Sequence, residues 1–258
     1  MRLGIFIWTF IVAACAIAVA GATAGGTGNG SSTGTASVFA SNPVQSLGDE
    51  SLTDQKDSDA AVPAAAYHRV TLTNLDGSGY LRGAYAQVYS STGALAFSPT
   101  NTFVYTRHQD QFEQVMAYYW ITQAQRYIHT LGFGVTRRAI DNQPQKVRLN
   151  QLGYDNSFET DHPILELRFG KGGVDDAEDA EVILHEYGHA IHSSQNFSFA
   201  SEQAGAISEG FADYWAVTVS DVVDGRSACR SGSRCRASRT GTRPRTRIPS
   251  RTACAGST

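Results

Sequence analysis

From Tyr67 onward apolar and polar positions alternate as a half-buried strand requires. Val70 and Leu72 mark one strand, and the run from Tyr80 to Tyr89 alternates again. Between them Asp76-Gly77-Ser78-Gly79 reads as a turn, without the spaced acidic ligands of a calcium loop. The period then changes. Phe112, Val115, Met116, Tyr119, Trp120, Tyr127, Ile128 and Leu131 recur at helical spacing, and Gly132 ends the run. Lys146–Leu149 and Ile164–Phe169 return to strand. Val182, Ile183, Leu184, Ala190 and Ile191 define an apolar helix, for which Asp175-Asp176-Ala177-Glu178-Asp179 supplies a cap and first-turn carboxylates. Gly205–Ala216 reads as a second amphipathic helix. No internal repeat recurs.

The apolar helix carries His185-Glu186-Tyr187-Gly188-His189. Residues four apart lie one above the other on a helix, so the two imidazoles face one point. Zinc takes neutral imidazole nitrogen and carboxylate oxygen, and a catalytic zinc keeps one position open for water. Glu186, beside the first histidine, is placed to take a proton from such a water. This is the metalloprotease pattern His-Glu-x-x-His. A polar pair inside so apolar a segment needs a reason. Glu209 follows in Ser208-Glu209-Gly210-Phe211-Ala212-Asp213, with Asp213 one turn on and on the same face. Metal-bound histidines usually donate their second ring N–H to a carboxylate, which suits Asp213; a solvated helix carboxylate is the plainer alternative.

These residues resemble the thermolysin-like zinc endopeptidases (gluzincins), and the wording around the motif is similar to the fungalysin-type branch. Across about 150–220 the resemblance is specific; before that it is weak. It implies that His185, His189 and Glu209 are zinc ligands, that Glu186 is the general base, and that Asp213 orients the first ligand. Asp155-Asn156-Ser157-Phe158 resembles the edge-strand segment that pairs with the substrate backbone, making Asn156 and Ser157 substrate-binding residues. The implied fold is α+β: a zincin-like N-terminal lobe of twisted sheet and active-site helix spanning 67–225, with the C-terminal helical lobe largely missing. The implied activity is hydrolysis of protein or peptide substrates by a zinc-activated water. In the family a histidine well downstream of the third ligand stabilises the oxyanion, whereas the last histidine here is His192. Phe211, Tyr214 and Trp215 would then lack a partner.

Composition adjusts this picture at both ends. Met1-Arg2, the apolar run Leu3 to Ala20, and Ala-x-Ala options at Ala18-Val19-Ala20 or Ala22-Thr23-Ala24 read as a secretory signal within 1–24; retention as an anchor stays open. Export to a secreted or extracytoplasmic location is expected in each case. Residues 25–66, rich in Gly, Ser, Thr and Ala, are expected to be disordered linker. Nine of the 21 basic residues are arginines within 226–258, which holds no acidic residue, leaving twelve basic against all 24 acidic residues elsewhere. A basic tail for nucleic acid or an anionic surface is one reading. An out-of-frame read of a GC-rich gene is preferred, so no nucleic-acid partner is expected. The four cysteines, Cys15, Cys229, Cys235 and Cys254, all lie in these end segments, so the body is not disulfide-built. The alternatives to an enzyme are a zinc-binding remnant that cleaves nothing and a basic-tailed binding protein with a vestigial motif.

Overall fold

The computed structural model describes residues 31–225, except 56, 91, 142, 161–163 and 196–200. The expectations for 1–24 and 226–258 lie outside the described residues. Within them the chain is α+β, with two mixed sheets and four helices. Strands β1 (Ser32–Phe39), β2 (Tyr67–Leu75) and β4 (Thr102–Phe103) form a sheet in the order β2–β1–β4. Strands β3 (Ala86–Val88), β5 (Gln145–Leu152), β6 (Phe158–Thr160) and β7 (Glu166–Gly170) form the second, in the order β3–β5–β7–β6. In it β3, β5 and β7 run parallel, and β6 is antiparallel to β7.

Helix α1 (Pro43–Leu47) is short; α2 (Asp110–Thr130), α3 (Ala180–Ser193) and α4 (Glu202–Val223) build the core with the sheets. α2 packs against β1, β3 and β5, and α3 packs against β6, β7 and α4. Phe112, Val115, Met116 and Trp120 are fully buried, as their helical spacing predicts. Gly132, at φ 92°, takes the left-handed conformation just past the helix end. On α3 the buried face is Ala180, Ile183, Leu184, Tyr187 and Ile191, each large aliphatic contributing about 1.5–3 kcal/mol by leaving water. Asp179 caps this helix by accepting from the Glu181 N–H at 2.7 Å.

The linker expected over 25–66 does not hold for its described part. Ser32–Phe39 is the middle strand of its sheet, paired with β2 along its length and with β4 beyond. Ala36, Val38 and Phe39 are buried, the Phe39 N–H meets the Met116 sulfur at 3.1 Å, and the Trp120 indole donates to the Phe39 carbonyl at 3.3 Å. Asn42 donates to Asp179 at 2.7 Å, tying the segment to the start of α3. Paired backbone on both sides stabilises a stretch whose side chains alone bury too little. Tyr80–Tyr89 also departs from expectation: only Ala86–Val88 is strand, the rest being held by isolated bridges such as Tyr80 to Phe97.

Arg107, in the loop before α2, is 2% exposed and binds Glu178 through Nη2 at 2.7 Å and the Asp54 carboxylate as well. It thus fastens the 3-10 turn Asp176–Glu178, from which α3 starts, to the 50s segment. Among the described residues no helix is long and apolar enough to cross a membrane.

Candidate metal centre

Helices α3 and α4 cross closely because Gly188 has no side chain: a Cβ there would stand 2.9 Å from the Ala212 Cα. That approach lets α4 present Glu209 to the histidines of α3. His185 Nε2 lies 3.2 Å from Glu209 Oε2, His189 Nε2 lies 3.5 Å from the same oxygen, and the two Nε2 atoms are 3.1 Å apart. His185 Nδ1 is 2.9 Å from Asp213 Oδ1, and His189 Nδ1 is 3.0 Å from Ser208 Oγ. When each Nδ1–H donates outward, both Nε2 lone pairs point at the shared space. Burial lowers the His189 pKa, against the pull of Glu209, which favours the neutral ring. Three electron-rich atoms facing one another repel unless a proton or cation lies among them. Tetrahedral ligands about 2.0–2.1 Å from zinc stand about 3.3 Å apart, which these separations match.

Glu186 is 7% exposed, and burial raises its carboxyl to about 7, against the lowering effect of His185. Asn156, Ser157, Glu159, Glu186 and Glu209 line, with the histidines, a cleft of about 530 Å³. So the residues singled out in the sequence for metal, base and substrate come together, while Asp213 sits behind His185. Asn156 is exposed, and the Ser157 hydroxyl donates to Asp176. The 154–157 turn is fixed from below by Gly172, where a Cβ would fall 2.3 Å from the Tyr154 Cα.

Ser208, Tyr187 and Asp141 have roles here that their residue types and spacing do not signal. Ser208 anchors His189 as Asp213 anchors His185, and its only sequence signal is adjacency to Glu209. Tyr187, within the motif, donates to Asp141 Oδ2 at 2.9 Å and accepts from the Gln125 amide at 2.5 Å, locking α3 to α2. Asp141 itself is raised from 3.8 to about 6 by burial, with the Tyr187 bond opposing. His192 stacks on Phe211 with centroids 4.2 Å apart, lies 3.4 Å from Ser208 Oγ, and is not among the described residues that line the cleft. Phe211 and Trp215 therefore have partners, and Trp215 is 7% exposed; Tyr214 alone of that trio stays open, at 69%.

The Asp141 shift has a defined sign. Its folded pKa lies above the unfolded value, so between roughly 4 and 6 the folded protein keeps a proton that the unfolded chain has released. Stability from this group is present at low pH and is lost as pH rises through about 6. Asp141→Asn, tolerated at its φ of 47°, should flatten the pH dependence of the urea midpoint in this window and raise the midpoint at pH 8. An unchanged pH profile in the variant would contradict the burial of that carboxyl.

Compared with known proteins, the chain matches no family model and no curated protein.

Proposed function

We propose that this chain is an exported zinc-dependent endopeptidase of the thermolysin-like, fungalysin-type kind, its 67–225 region corresponding to a zincin-like lobe. The observation that carries the reading is the triangle of His185 Nε2, His189 Nε2 and Glu209 Oε2, with edges of 3.1–3.5 Å beside the buried Glu186. Those three residues would hold zinc, which when bound lowers the pKa of water and polarises a peptide carbonyl. Glu186 accepts the proton of the attacking water and returns it to the leaving amine. Asp213 and Ser208 hold the two rings so that Nε2 of each faces inward. Asn156 and Ser157, beside the outer strand β6, would align the peptide backbone by strand addition.

A second reading, zinc binding without efficient cleavage, has one observation behind it. The described lining of the cleft holds no histidine beyond His185 and His189, and no lysine or arginine, to meet an oxyanion. Losing one such donor costs about 10²–10³ in rate. A quenched-peptide assay with mass-spectrometric mapping separates the two. Internal cleavage that a chelator stops and added zinc restores supports the peptidase; stoichiometric zinc with no cleavage supports the second reading.

A further inference from the structure

The helices cover one face of the second sheet. α2 packs against β3 and β5, and α3 against β6 and β7, with Ala86, Val147, Leu149, Leu167 and Phe169 buried on that side. Strand alternation turns the residues between them to the opposite face. There Arg148 of β5 stands directly beside Arg168 of β7, and Lys146 beside Glu166. Arg82 joins them through its antiparallel bridge to Gln87, the residue in register with Lys146. Four cations therefore share this face with one carboxylate, although the chain outside 226–258 has only twelve basic residues against 24 acidic ones.

That carboxylate does not neutralise them. Glu166, 2% exposed, accepts from Arg148 Nε at 3.0 Å, and from Arg168 Nε at 2.7 Å and Nη2 at 2.6 Å. One negative charge is thus divided between two guanidiniums. Arg148 lies 4.6 Å over the Tyr89 ring and Arg168 5.8 Å over that of Phe158, contacts that steady the two groups without adding charge. Both arginines stay open to solvent, with 27% and 34% of their side-chain surface exposed. Arg82 Nε is enclosed without a hydrogen-bond partner. Like charges side by side on neighbouring strands are destabilising, and an anion laid over them relieves the repulsion.

We propose that this face docks an extended acidic peptide segment of a partner protein, one with carboxylates at alternate positions. A guanidinium fork matches a carboxylate with two parallel hydrogen bonds. Alternate side chains of an extended chain project to one side about 6.6 Å apart, the spacing at which Lys146 and Arg148 follow one another on β5. A peptide laid along β5 sets one carboxylate over Lys146 and the next over the Arg148 and Arg168 pair. The cleft lies on the α3 side of the sheet, so docking here uses none of its residues and does not depend on the peptidase reading.

The test is fluorescence anisotropy of labelled ten-residue peptides with the full chain. One peptide alternates glutamate and threonine, a second carries the same residues as two blocks, and a third has glutamine for glutamate. Alternation sends every carboxylate to one side of the extended peptide, whereas the block divides them between two sides. The parent protein should bind the alternating peptide about threefold more tightly than the block, and the glutamine peptide about tenfold more weakly. In Lys146→Gln/Arg148→Gln, Arg168 and Tyr89 still hold Glu166; this variant should bind the alternating peptide about tenfold more weakly and lose the preference over the block. Arg148→Lys, which keeps the charge and loses the fork, should fall between the two. Circular dichroism checks each fold. Lys146→Gln alone breaks no hydrogen bond of Glu166, and its loss of about threefold decides the matter if the double variant unfolds. Equal binding of the two acidic peptides, unchanged by these substitutions, would assign it to the arginines of 226–258 and overturn the proposal. Binding of heparin or of phosphatidylglycerol vesicles that responds to the substitutions, while peptide binding does not, would give the face to a polysaccharide or a membrane and overturn it equally.

Discussion

Glu186→Gln should hold zinc as the parent protein does and lose peptide hydrolysis by about 10²–10⁴-fold. The amide matches the carboxylate in shape but cannot accept a proton from water. Its site is 7% exposed, so bulk solvent has little access to substitute for it. Burial already pushes this carboxyl to about 7, and the neutral amide removes a charge that the site accommodates at a cost. The variant should therefore fold at least as well as the parent. Turnover near the parent rate, with zinc content unchanged, would remove Glu186 from the mechanism.

Arg107→Met should destabilise the fold by about 3–5 kcal/mol. The guanidinium is 2% exposed and is shared by Glu178, itself 3% exposed, and Asp54. Burial raises the Glu178 carboxyl, and Arg107 pulls it back down. Without the cation those carboxylates must take up protons or draw water into the core. The loss should also reach the candidate metal centre, because Glu178 closes the turn from which α3 begins. Arg107→Lys, which keeps the charge but loses the fork of donors, should fall between the two. Urea unfolding of the three proteins decides it. A change below about 0.5 kcal/mol in Arg107→Met would place the ion pairs among contacts of no consequence.

The main helices and the residues of the candidate centre could be read from the chain because their signals are local. α2 shows in the spacing of Phe112, Val115, Met116 and Trp120, and α3 in an apolar run interrupted by two histidines four residues apart. Glu209 and Asp213 share one face of one helix, so their partnership with His185 needed only the crossing of α3 and α4. What the sequence concealed depends on distant pairing. β1 has no large apolar residue before Val38, and what orders it is backbone pairing with β2, 28 or more residues later, together with the indole of Trp120. Arg107 looks like any loop arginine until Asp54 and Glu178, 53 and 71 residues away, close around it. Ser208 is one serine among many; its bond to His189 exists only because Gly188 lets the helices approach.

One zinc ion should be held by His185, His189 and Glu209 together. Zinc titration of the metal-free chain, followed by isothermal calorimetry and checked by elemental analysis after gel filtration, tests it most directly. The parent protein should retain one equivalent, and Asp213→Asn should bind about 10–100-fold more weakly through the less firmly held His185 ring. His189→Ala should retain none after gel filtration, with its folded structure intact by circular dichroism. Stoichiometric zinc in His189→Ala, or a parent protein that takes up no zinc, would contradict the assignment.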